Sequence, residues 1–500
     1  MNLNTQFVFE GKLKRNLIIG MAIGVVCLIL SAMGDDDYLT RFWTNYLHNA
    51  VFFTGIAFTM MFFLAANITA FGGWITTFKR LWESMSQFMW VGILLMIPLV
   101  AGVWGHFHHL YHWNTPGITD PNNPIYDRII AGKSGFLNPM FYTVGVIGFL
   151  AIWYYWAMKL RQTSVDQDTM ETASLDYYKK QRKWAATFLP IGGFLSTVFL
   201  WELVMSIDSH WYSTMFAWYA TISVFLAGLT LTVMLIIYLK GKGYMEYVTR
   251  EHIHDLGKYV FGISVFWTYL WFDQFMLIWY ANVGEETIYF KERMDHYPVL
   301  FWGNLLLNFI LPFFILMRND TKRKMGTMFI VAAFVFFGHW WDYFYMIKPG
   351  ARIAAFEAKE LAEGKHSSNH EAAPIHEGEG DHAVVTHEGE NHETAGEHAD
   401  TGHGEEASAA VAHGGHEADG HHEGGEEHHG HPTHFQIGYT LPGFAEIGVM
   451  IGFLCGFLFF LFSHLQKASL LPLKDPYLEE SLHHETGVYP DNEEKGDSHH

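Results

Sequence analysis

Cysteine is scarce: Cys27 and Cys455 are the two in 500 residues. They offer no disulfide framework, CxxC pair or zinc spacing, and too few thiolates for an iron–sulfur cluster. No CxxCH is present to attach haem c, and no glycine pattern marks a P-loop or a dinucleotide site. Charge is sparse as well. Asp, Glu, Lys and Arg make up 16% of the chain, against about a quarter in soluble domains. Basic residues are fewest of all, 31 against 51 acidic ones, so nothing suggests a nucleic-acid partner.

What is present is apolar and comes in blocks. Half the residues are hydrophobic and 17% are aromatic. Ten blocks approach the ~20 residues that cross a hydrocarbon core of about 30 Å. They lie near 16–33, 50–71, 88–105, 140–158, 185–205, 215–238, 258–281, 298–317, 325–346 and within 439–464. No span interior contains a Lys or Arg; Lys258 sits at the very edge of its block. With the N-terminus inside, 22 of the 31 basic residues fall in inner segments and 9 in outer ones, the asymmetry of the positive-inside rule. The reading is an all-α polytopic membrane protein with both termini cytoplasmic. The first block has Lys12, Lys14 and Arg15 before it, but its length and lack of a small-x-small site favour a retained helix over a cleaved signal.

The predicted organisation is a cytoplasmic arm (1–15), a nine-helix region (16–346), an outer loop (347–438), the tenth helix (439–464) and a cytoplasmic tail (465–500). The loop holds 16 of the 31 histidines and 19 Asp or Glu against 4 Lys or Arg. Such composition cannot bury enough surface to offset its ordering entropy, so a solvated, disordered spacer is expected over metal capture or proton buffering. Spans 2–5 and 6–9 form two four-helix sets inserted in the same direction. The entries to their first helices, "FWTNYLHNAVFFTGIAFT" and "WYSTMFAWYATISVFLAGLT", hint at a repeat.

Ionisable side chains inside spans carry the chemistry, because each costs roughly 2.5–3.5 kcal/mol at mid-helix. They are Glu202 late in span 5 with Asp208 just beyond it, Asp273 in span 7, His339 and Asp342 at the end of span 9, and Glu446 early in span 10. All fall towards the outer side. Asp273, in "LWFDQFMLIW", lies about 12 Å from the outer end of its span and about 22 Å from the inner end. Tyr269, Asp273, Met276 and Tyr280 share one helical face, so Tyr269 and Tyr280 are expected to hydrogen-bond near Asp273. The acid is then either a protonatable site or a partner for tyrosine and tryptophan donors between packed helices. The stretch "HFHHLYHW" (106–113) reads as interfacial anchoring rather than metal binding. Membrane haem b needs histidine pairs deep in spans, and only His339 and His464 are placed within or at span ends.

Four phrases, "WELVMSIDSHWYSTMF" (201–216), "WFDQFMLIWYANVGEE" (271–286), "NFILPFFILMRNDTKR" (308–323) and "HWWDYFYMIKPG" (339–350), resemble the NrfD/polysulfide-reductase-C membrane subunits. The nearest likeness is to the F-type (ActF) subunits of bacterial alternative complex III, over about residues 5–350 and 435–475. The resemblance implies ten helices in two four-helix bundles with two flanking helices. It implies a place in a quinol:cytochrome c oxidoreductase of the bacterial inner membrane. The expected partners are a C-type sister subunit, iron–sulfur and multihaem cytochrome c subunits, and a terminal oxidase. Quinol, haem c and iron–sulfur clusters would be held by those partners. The family's proton path maps onto Glu202, Asp208, Asp273, His339 and Asp342. Related sequences often carry serine at the position of Asp273, and the His/Glu insert departs from the family pattern.

Three functions follow as expectations. The first is a scaffold without a redox cofactor that offers a proton half-channel to the outer face. The second is a quinone-binding subunit in which Asp273 and His339 bond the ring carbonyls. The third is a proton-coupled transporter, whose usual midplane helix breaks are poorly matched by Pro190 and Pro312.

Overall fold

The computed structural model describes residues 5–33, 39–171, 175–362 and 441–484, apart from the side chains of 285 and 360–362. The predicted outer loop from 363 onward and the tail beyond 484 lie outside the described residues. Ten helices are long and apolar enough to cross a membrane. They are α1 (Gly11–Ala32), α2 (Thr40–Thr69), α3 (Lys79–Gly105), α4 (Pro139–Asp168), α5 (Leu175–Ile207), α6 (Thr214–Gly241), α7 (Arg250–Ala281), α8 (Pro298–Leu316), α9 (Met325–Ala362) and α10 (Phe444–Leu465). No strand occurs among the described residues.

Helix contacts close two rings. In the first, α2 meets α3, α3 meets α4, α4 meets α5, and α5 returns to α2. The second runs α6–α7–α8–α9 and back to α6. The rings join where α2 packs on α6 and α9, and α5 packs on α6. Corresponding first helices therefore meet at the centre, and α2, α6 and α9 are the most enclosed. The fold is two four-helix bundles plus two flanking helices.

The flanking pair is built on glycine. Gly20-x3-Gly24 of α1 faces Gly448-x3-Gly452 of α10, and a Cβ on Gly24 would lie 2.4 Å from the Gly452 Cα. Small residues let membrane helices approach this closely, with van der Waals contact as the driving force. Cys455 lies against Gly20 and Cys27 against Gly448, so both thiols serve as packing atoms in this seam. Arg41 of α2 grips Glu446 of α10 through Nε (2.6 Å) and Nη2 (3.1 Å), fastening the pair to the first bundle.

Two boundaries differ from the sequence reading. Helix α9 continues to Ala362 rather than stopping near 346, because "ARIAAFEAKELA" keeps strong helix formers after Pro349. His339 and Asp342 are thus mid-helix. Residues 79–87, expected in an inner loop, form the buried start of α3. Their charges are absorbed by pairing: Lys79 with Asp475, and Arg80 with Glu83 (2.7 Å) and Asp168 (2.5 Å). The segment after α10 straps across the face that carries the described ends of the chain. Leu470 N bonds Thr5 O at 2.6 Å, Gln167 reaches Lys474 O at 2.9 Å, and His484 reaches Asp255 at 2.6 Å.

Candidate functional site

Helix α9 places Asp342 and His339 one turn apart inside the second bundle, both fully buried. Four side chains from three other helices close on the Asp342 carboxylate. Tyr219 Oη of α6 donates to Oδ1, as does Asn304 Nδ2 of α8 at 2.8 Å. Ser223 Oγ of α6 donates to Oδ2 at 2.8 Å, and Trp267 Nε1 of α7 at 3.0 Å. The cage is neutral: uncharged donors replace water, and among the described residues no cation bonds the acid. Ser223 Oγ also lies 3.0 Å from His339 Nδ1. A hydroxyl has one proton, so while Ser223 donates to Asp342 it accepts from His339 Nδ1–H. His339 Nε2 then keeps a lone pair, buried and without a partner. The arrangement is a three-member relay, His339–Ser223–Asp342.

The first bundle has a counterpart. Glu202 occupies α5, the fourth helix of its ring, as Asp342 occupies α9, and each follows a tryptophan, Trp201 or Trp341. The third helices match too. Both α4 and α8 open on proline (Pro139, Pro298) and contain a π-helical turn, Val144–Gly148 and Leu306–Ile310. Gly145 packs against Glu202, and Asn304, also six residues after its proline, bonds Asp342. Such turns concentrate at functional sites because they shift side chains off the regular helical register. Glu202 is 0% exposed and neither of its oxygens is hydrogen-bonded. Beside it, Tyr111 and Tyr142 pair through their hydroxyls at 3.0 Å, and Tyr111 also donates to Leu203 O.

From Asp342 the polar residues continue towards the end of the bundles away from the strap. Tyr345, one turn further along α9, has a buried hydroxyl with no partner and lies 5.7 Å from the Arg293 guanidinium. Arg293, on the connecting helix Gly284–His296, is fully buried. It bonds Asp208 (2.9 Å) and Met346 O (3.2 Å) and covers the Tyr289 ring at 3.4 Å. Burial raises the Asp208 carboxyl above its usual range, and Arg293 offsets only part of that rise. Nearby, His210 Nε2 meets Asp127 Oδ2 at 2.7 Å, while Asp127 Oδ1 caps the helix Arg128–Lys133. Burial pulls His210 down, but the Asp127 bond and the Glu357 charge outweigh it and leave its pKa raised. Asp127 is pushed up by burial and more strongly down by His210 and the helix N–H groups. His112 lies 3.4 Å from Glu357 and its ring is 5.9 Å from that of His210.

Asp273 joins none of this. The inward face of α7 carries Trp267, Trp271, Gln274 and Ile278. Asp273 sits on the outward face, where Tyr269 is 56% and Tyr280 84% exposed. The expected Tyr269 and Tyr280 hydrogen bonds are not made, because helical spacing defines a face without saying which way it turns. Asp273 and His339 therefore cannot bond the two ends of one quinone ring.

Sequence reasoning missed the donors Tyr219, Ser223, Trp267 and Asn304, which bear no charge; the amide of Asn304 in an apolar span was the one available signal. It also missed His48, because α2 starts ten residues earlier than expected; its Nε2 bonds Trp340 O at 2.9 Å. In "HFHHLYHW", His108 is buried on Leu99 O (3.0 Å). Among the described residues, no group of three or more His, Cys, Asp or Glu side chains could hold a metal ion. No family model and no curated protein matches the chain.

Proposed function

We propose that this chain is a membrane subunit of a respiratory quinol:electron-acceptor oxidoreductase. It binds no redox cofactor itself, scaffolds iron–sulfur and haem c subunits beside a C-type sister, and supplies a proton half-path opening on the face away from its termini. The assignment to such a complex rests on the four phrases that resemble F-type subunits of alternative complex III. The proton role rests on one observation: the buried His339–Ser223–Asp342 relay, followed by Tyr345, Arg293–Asp208 and the His210–His112 pair towards one end of the bundles.

In this reading, a proton taken up at His339 Nε2 lets Nδ1–H pass to Ser223 Oγ as the Ser223 hydroxyl proton passes to Asp342. His339 is left neutral with its proton on Nε2, and the hydroxyl then donates to Nδ1. Onward transfer requires water between the Asp342 cage and the Arg293 pair, where Tyr345 Oη supplies an unused donor. The raised His210 collects protons at the outer end.

Asp342→Asn, in the intact complex reconstituted into liposomes, tests it. Asparagine keeps the shape but cannot carry the proton. Quinol oxidation should persist while proton release falls by about a hundredfold, the lower end of what a positioned acid–base group contributes. Unchanged proton release would remove the half-path. Purification through a tag on this chain, with a haem c spectrum and subunit identification, tests the assembly; a colourless, solitary protein would overturn it.

A further inference from the structure

Four carboxylates lie within the apolar stretches of the spans. Asp342 has its cage, Glu446 has Arg41 and Asn45, and Glu202 is sealed inside the first bundle. Asp273 alone is neither buried nor bonded among the described residues. It is partly exposed on α7, ringed by Tyr269, Phe272, Met276 and Leu277. Trp279 and Tyr280, exposed at the end of the helix, mark the level where aromatic side chains meet headgroups. Asp273 is six residues below Trp279, about 9 Å deeper, and its short side chain cannot snorkel that far as lysine or arginine would.

We infer that the outward face of α7 around Asp273 is the docking surface for a membrane helix of a different protein, which offers a basic side chain to Asp273. Charge selects this occupant. Hydrocarbon tails carry no donor, and a lipid amine would have to sink well below the aromatic level. A second copy docked through the same face would bring another Asp273 to the patch and no basic side chain, since the residues of α7 around Asp273 include none. A lysine, arginine or histidine at matching depth satisfies the acid, and the surrounding aromatic and methionine side chains provide the van der Waals surface. The inference holds whichever reaction the assembly performs.

The test uses the full chain in its native membranes, with a photocrosslinking benzoylphenylalanine at Phe272 or Leu277. Adducts should map to one membrane segment of another protein, with Lys, Arg or His within a turn of the attachment point. Asp273→Leu should lower recovery of that protein at least tenfold, and Asp273→Asn should lower it less. Asp273→Lys combined with the reverse substitution in the partner should restore it. Adducts only to lipid or to a second copy would overturn the inference. So would an Asp273→Leu chain that keeps its full partner complement and melts at higher temperature, as a leucine facing lipid would. Because the crosslinks are made with Asp273 in place, a misfolded leucine variant does not remove the test.

Discussion

Ser223 has one hydroxyl proton and two partners, and that limit defines the relay. Ser223→Ala leaves Asp342 three donors from Tyr219, Trp267 and Asn304, so a stability loss of about 1 kcal/mol is expected. It severs Asp342 from His339, so proton release should slow far more than the melting temperature drops, and Ser223→Thr should restore the rate. A second residue-scale expectation concerns pH. His210 is held above its ordinary value of about 6.5, so its bond to Asp127 contributes fully below that value and is lost as pH rises through the raised one. Asp127 is depressed; its contribution is present above the ordinary carboxylate range and is lost as pH falls through the lowered value. Protection of the helix Arg128–Lys133 amides, relative to their intrinsic exchange rates, should therefore fall as pH rises through the raised His210 value, and His210→Gln should abolish that fall. These partners were not legible beforehand. A serine or an asparagine in an apolar helix carries no mark of what it will face.

At the scale of elements, the glycine seam makes a sharp demand. Gly452→Leu places a branched side chain where the Gly24 backbone already lies, so α1 and α10 must separate. Cys455, packed on Gly20, should then react faster with a membrane-permeant maleimide, while both four-helix rings stay intact. The ten helices themselves were readable in the sequence, because apolar length is a property of a single segment. Their ends were less so. Helix α9 outran its apolar stretch by 16 residues on helix propensity and packing, and the start of α3 buried three charged residues, Lys79, Arg80 and Glu83, once partners were brought to them.

At the scale of the whole molecule, the strap after α10 joins segments distant in the chain. Asp475→Ala leaves Lys79 buried without its partner, and breaking such a pair costs about 3–5 kcal/mol. Thermal unfolding in mild detergent should register that loss, and the double exchange Lys79→Asp, Asp475→Lys should recover part of it. The sequence by itself determined ten spans, their alternating direction and the rarity of charge within them. Those properties follow from transferring one segment at a time out of water, and they need no neighbour. Tertiary structure alone decided which side of each helix faces inward. It turned Asp342 into a cage of four donors, set Glu202 at the matching place in the other bundle, and left Asp273 facing out. The rotation of a helix about its own axis is set by packing against neighbours that no local pattern identifies.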